Sequence, residues 1–147
     1  TGGWVAQSVT AIAGSSGWFD RGFVTYSNAA KVEMLGVAEA TLVRHGAVSE
    51  AVARAMAQGA LAHSRADWAL AITGIAGPGG GTEEKPVGTA WIGLAGKGFE
   101  STAFKVFHPR NRHDFKLSVS QRALEALRRA GDELEDRLEG ITEGVAA

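Results

Sequence analysis

Trp68-Ala69-Leu70-Ala71-Ile72 is an unbroken apolar run that leads straight into Thr73-Gly74-Ile75-Ala76-Gly77-Pro78-Gly79-Gly80-Gly81-Thr82-Glu83-Glu84-Lys85-Pro86. Five apolar residues without polar alternation predict a strand covered on both faces. The glycine-rich stretch behind it predicts a long loop at the strand's carboxyl end, the edge where ligands sit on open sheets. Downstream, residues 87–94 and 101–107 have strand character and are divided by the turn Gly96-Lys97-Gly98. Residues 112–138 have helical spacing, with Gly131 as a weak point and a tail expected to fray after about residue 139.

Working back from Trp68, Ser49 followed by Glu50 opens a helix to about His63. A shorter helix over 38–44 is closed by Gly46. Asn28 reads as the cap of a helix over 29–35 that Gly36 ends. Residues 23–26 alternate and branch like a strand, and 4–12 read as a short first helix stopped by Gly14. The order helix, strand, helices, three strands, helix implies one α/β domain spanning 1–147. Its sheet is expected to be mixed and packed between helices in α/β/α layers, antiparallel where the last strands follow one another through short turns.

Composition narrows the function classes. The 147 residues carry 15 Lys+Arg against 16 Asp+Glu, a formal charge of -1, so the basic field used for nucleic-acid binding is missing and no nucleic-acid partner is expected. Without cysteine there is no disulfide, thiolate metal site or cysteine nucleophile. No run approaches the roughly 18 apolar residues of a membrane span, which predicts no membrane partner and a cytoplasmic location. The 20 glycines are about twice the usual ~7% share and are clustered, marking loops where backbone comes close to something. The chain opens on Thr1-Gly2-Gly3 rather than on methionine, which reads as a start inside a longer chain.

The chemistry has few candidate groups. His45, His63, His108 and His113 show no i, i+4 pair beside a glutamate, so no metal is expected. No Gly-x-Ser-x-Gly elbow is present. Gly14-Ser15-Ser16-Gly17 places two serines among amides free to hold an anion or an oxyanion. In Tyr26-Ser27-Asn28-Ala29-Ala30-Lys31 the lysine falls in the first turn of a helix. Positive potential at the helix start, and burial if it occurs, lower an ammonium's pKa as a lysine general base requires. Arg112, opening the last helix, could meet a phosphate together with free helix amides. Each of these signals is weak alone: a serine turn, a solvated lysine and a surface arginine are common.

Taken in order, Thr1-Gly2-Gly3, Gly14-Ser15-Ser16 with Trp18-Phe19, Gly22 to Lys31, Leu35-Gly36-Val37, Gly46-Ala47-Val48-Ser49, and Thr73 to Pro78 with Lys85-Pro86-Val87-Gly88 closely resemble the CinA carboxyl-terminal domain family. The resemblance runs from Thr1 to about Ala130. Members include the nicotinamide-nucleotide amidohydrolases, or NMN deamidases. The resemblance therefore implies hydrolysis of the carboxamide of nicotinamide mononucleotide to nicotinic acid mononucleotide and ammonia, with no cofactor. It maps the nucleophile to Ser16, its base to Lys31 and an assisting tyrosine to Tyr26. It puts substrate contacts at Thr1, Gly2, Gly14, Ser15, Asn28, Thr73, Gly74, Gly77 and Arg112. The residues alone do not choose between Ser15 and Ser16.

Family members usually carry Glu-Ser-Cys just before the Thr-Gly-Gly block, and without such residues ahead of Thr1 part of the substrate pocket and the start of the first helix would be missing. The resemblance also admits a homodimer. Two other classes stay open: a nucleotide-binding domain that does not cut, and an interaction domain linked to competence or DNA damage, which would need an exposed apolar patch.

Overall fold

The structure, a computed structural model, describes the backbone of residues 1–146 and the side chains of residues 1–135. The elements are α1 (Trp4–Thr10), a 3-10 turn (Ser15–Gly17), α2 (Asn28–Leu35), α3 (Glu39–His45), α4 (Glu50–Ala62), β1 (Trp68–Gly74), β2 (Thr89–Gly96), β3 (Phe99–Phe107) and α5 (Arg112–Ala146). The expected fraying after residue 139 falls outside the residues whose side chains are described. Among the described residues no helix is long and apolar enough to cross a membrane.

The three strands lie in the order β1-β2-β3, each antiparallel to its neighbour, with Ile72 opposite Ile92 and Ala90 opposite Val106. Side chains alternate between faces along a strand, and both faces of β2 are used. On one, Ala71 and Ala95 join Val52, Met56 and Ala57 of α4. On the other, Ala90 packs with Phe115 and Val119 of α5, supported by Ile72 and Val106. The sheet is thus sandwiched between α4 and α5, which accounts for the continuous apolar run of β1. The expected helices-on-sheet, three-layer domain holds.

Gly93 sets the spacing of one layer. A Cβ there would run into the Ala53 carbonyl, so α4 lies directly on the β2 backbone.

Two local expectations are corrected. Residues 23–26 form no strand, and among the described strands no pair is parallel. Alternation over four residues states only a side-chain preference, and a ladder needs a neighbour to pair with. The cap of α2 is Ser27, not Asn28: Ser27 Oγ accepts from the Ala30 amide at 3.0 Å, and Asn28 is the first helical residue. The amide three residues ahead is the one a capping oxygen reaches. Ser49 caps α4 as expected, accepting from the Val52 amide, and Gly36 and Gly46 end α2 and α3.

Candidate active site

A cavity of about 1660 Å³ runs between the amino-terminal segment, β1 and α5, along which its wall extends from Arg112 to Glu135. Ser16, Tyr26, Lys31, Thr73, Gly74 and Arg112 border it, as do Thr1, Gly2 and Asn28. The tertiary fold therefore gathers most of the predicted site from five separate parts of the chain. Three predicted residues lie off its wall. Gly14 is the exposed cap of the serine turn and Ser15 its first residue, only 8% exposed. Gly77 takes part through its carbonyl, as described below.

Lys31 is the most unusual side chain at the wall. The Ser27 cap starts α2 so that Lys31 sits in its first turn, and packing leaves the residue 6% exposed. Nζ donates to the Thr25 carbonyl at 2.7 Å and to the Tyr26 carbonyl at 3.4 Å. Among the described residues no carboxylate pairs with it. Burial holds the ammonium below lysine's usual range, because the charged form loses water without gaining a counter-ion. The sequence pointed the same way from the helix position alone.

The serine turn is placed differently from a preformed dyad. Ser16 is exposed and borders the cavity, but among the described hydrogen bonds none joins it to Lys31. Tyr26 is exposed, and its hydroxyl accepts from Arg112 Nη2 at 3.4 Å rather than touching Ser16 or Lys31. Thr73 is buried and donates from Oγ1 to the Ala47 carbonyl at 2.8 Å, fixing the end of β1 to the segment before α4.

The loop after β1 is fastened at several points. Arg112 Nη1 donates to the Gly77 carbonyl at 2.9 Å, and Lys85 Nζ donates to the His45 carbonyl at 2.7 Å, beside the carboxyl end of α3. Gly88 has φ +100°, and a Cβ there would press on Pro109 and His108, so only glycine lets the loop rejoin β2 at this point. Asn111 caps α5, its Oδ1 accepting from the Asp114 amide at 2.9 Å while its Nδ2 donates to the Asp114 carboxylate.

Sequence reasoning missed Lys116. It borders the same cavity, one helical turn beyond Arg112, and its Nζ lies 3.8 Å from the point a Cβ on Gly2 would occupy. Lys31, Arg112 and Lys116 thus border the same cavity as Thr1. The available signal was the four-residue spacing of Arg112 and Lys116, which puts them on one helical face. Among the described residues no three His, Asp or Glu side chains cluster.

The CinA C-terminal domain family matches residues 1–130. The nicotinamide-nucleotide amidohydrolase PncC of Shigella flexneri is 54% identical over 127 residues, covering 86% of this chain and 77% of that protein. PncC of Escherichia coli K12 is 66% identical over 95 residues, covering 65% of this chain and 58% of that one. A CinA-like protein of Akkermansia muciniphila is 55% identical over 127 residues, and the chain spans only 31% of its length. Among solved structures, the competence/damage inducible protein CihA from Agrobacterium tumefaciens superposes with a TM-score of 0.86 at 46% identity, covering 88% of this chain and 79% of that one. With the family pattern running from Thr1 through the first half of α5, the chain belongs to the CinA C-terminal domain family.

Proposed function

We propose that this chain is an amidohydrolase that cleaves the carboxamide of nicotinamide mononucleotide, giving nicotinic acid mononucleotide and ammonia for pyridine nucleotide salvage. The observation that carries the proposal is Lys31, a buried amine with no carboxylate partner among the described residues, at the wall of a cavity lined by hydroxyls and an arginine. The amidohydrolase names of the PncC relatives support the same chemistry. The substrate partner is a small nucleotide, in the cytoplasm, and the homodimer expected from the resemblance is carried over with it.

In this mechanism neutral Lys31 takes the proton of the Ser16 hydroxyl as its oxygen attacks the carboxamide carbon. The Gly14 and Ser16 amides hold the oxyanion, those of Ser15 and Gly17 being used by the Ile12 and Gly14 carbonyls. The proton returns to the departing nitrogen, ammonia leaves, and water then hydrolyses the acyl-enzyme. Tyr26 and Arg112 orient the nucleotide. Ser16 stands on an exposed turn between Gly14 and Gly17, so substrate contact can draw it toward Lys31. Nucleotide binding without cleavage is the alternative, favoured by the lack of a Ser16–Lys31 hydrogen bond.

The test is release of ammonia and nicotinic acid mononucleotide by the chain, by Ser16→Ala, and by the chain extended with Glu-Ser-Cys ahead of Thr1. Product from the parent and none from Ser16→Ala supports Ser16 as nucleophile. Undiminished product from Ser16→Ala removes Ser16 from the mechanism. Product only from the extended chain, and still from its Ser16→Ala variant, moves the nucleophile to the added segment. No product from any of them, with nucleotide binding retained, favours the binding domain.

A further inference from the structure

We infer that Lys116, with Arg112, forms the seat of a phosphomonoester, so that the cavity separates a nucleotide from its riboside. The inference rests on the nucleotide substrate proposed above and assigns which residues recognise its phosphate.

Lys116 follows Arg112 by four positions, which stacks their side chains on one face of the helix. The rotation of α5 is fixed by Phe115 and Val119, both buried against the sheet. With those positions turned inward to the sheet, both basic residues border the cavity. Gly2, with φ +66°, passes close to Lys116 Nζ without a side chain.

Charge pairing separates these two cations from Arg128 and Arg129 on the same helix. Farther along α5, Arg128 and Arg129 are taken up by Glu125 and Asp132. At the far end of the cavity Asp20 accepts from Arg21 and from the Arg65 amide. Among the described residues neither Arg112 nor Lys116 has a carboxylate within 4.0 Å, and Lys116 Nζ makes no hydrogen bond. Arg112 already spends donors on Gly77 and Tyr26, so it serves as the oriented fork, while Lys116 supplies a compact charge with all its donors free. A phosphomonoester dianion matches this pair in charge and in acceptor number. A carboxamide or a ribose hydroxyl does not call for two cations.

The experiment is calorimetric titration of the chain with nicotinic acid mononucleotide and with nicotinic acid riboside, which differ by the phosphate and are not turned over, together with inorganic phosphate as a third probe. Lys116→Met is expected to weaken the mononucleotide by about 10- to 100-fold, as for loss of a charge-assisted contact, and to leave riboside binding unchanged. Lys116→Arg is expected to keep mononucleotide binding within about 3-fold of the parent, since the charge is retained. Unchanged mononucleotide binding in Lys116→Met overturns the inference. Equal losses for mononucleotide and riboside also overturn it, since they assign Lys116 to cavity shape. If neither pyridine compound binds but inorganic phosphate does, and Lys116→Met abolishes that binding, the seat stands and the pyridine substrate is wrong. If neither the parent nor the chain extended with Glu-Ser-Cys ahead of Thr1 binds any of the three, there is no seat.

Discussion

Arg112 Nη1 lies 2.9 Å from the Gly77 carbonyl, tying the first turn of α5 to the glycine loop 35 residues earlier in the chain. The same guanidinium reaches the Tyr26 hydroxyl. One side chain thus joins three chain segments that have no local reason to meet.

Arg112→Gln removes the guanidinium that makes both ties, and with it one of the cations bordering the cavity. We expect KM for nicotinamide mononucleotide to rise by about 10-fold or more, as when a charge-assisted contact is lost, with the fold retained. Arg112→Lys is expected to recover little, because an ammonium lacks the planar fork that spans two acceptors. Steady-state kinetics with circular dichroism on the same samples checks this.

Lys31→Met is expected to reduce turnover by orders of magnitude while leaving the chain at least as stable as the parent near neutral pH. The sign follows from burial. The folded pKa of Lys31 lies below the usual 10.5, so the unfolded state binds more protons between those two values. Stability of the parent therefore rises with pH through that window, and below it the whole cost of burying the charge is present. Urea midpoints measured against pH should climb for the parent and show no such climb for Lys31→Met. A variant that retains near-normal turnover would remove Lys31 from the chemistry.

Activity should follow the same group. If neutral Lys31 is the base, kcat/KM rises with pH through its folded pKa and levels off above it. Its inflection should lie below 10.5. A profile flat across the range in which the chain stays folded would assign the proton transfer elsewhere.

Gly93→Ala is expected to destabilise the fold by about 1–3 kcal/mol or more, the range for overpacking, because the new methyl meets the α4 backbone at Ala53 rather than a side chain that can rotate away. Gly79→Ala serves as the control, having nothing within 4 Å of the new atom. Chemical denaturation of the two variants should separate them clearly.

Ser27→Ala should lose roughly 1 kcal/mol from the missing cap and loosen the turn that carries Lys31. Asn28→Ala should cost less stability and act instead on substrate affinity, since Asn28 borders the cavity without capping α2. Comparison of the two by denaturation and by KM tests the assignment.

The sequence by itself determined the helices, the strand at Trp68 and the hairpin behind it, because capping residues, glycine stops and apolar runs act over a few neighbours. Ser49, Gly36 and Gly46 stand where those rules put them. It also marked Lys31, since a lysine in the first turn of a helix is out of place by local electrostatics alone. Tertiary structure decided the rest. Residues 23–26 have the composition of a strand, yet pairing depends on a neighbour that composition does not name. Whether Lys31 was buried, and that it turns back to the Thr25 and Tyr26 carbonyls just ahead of α2, depended on packing that the helix position does not fix. Ser16 and Lys31 were brought to one cavity without being bonded, an arrangement that no spacing rule resolves. Lys116 escaped notice because a lysine on an exposed-looking helix is ordinary until the rotation of α5, set by Phe115 and Val119 packing on the sheet, turns it toward Arg112 and Gly2.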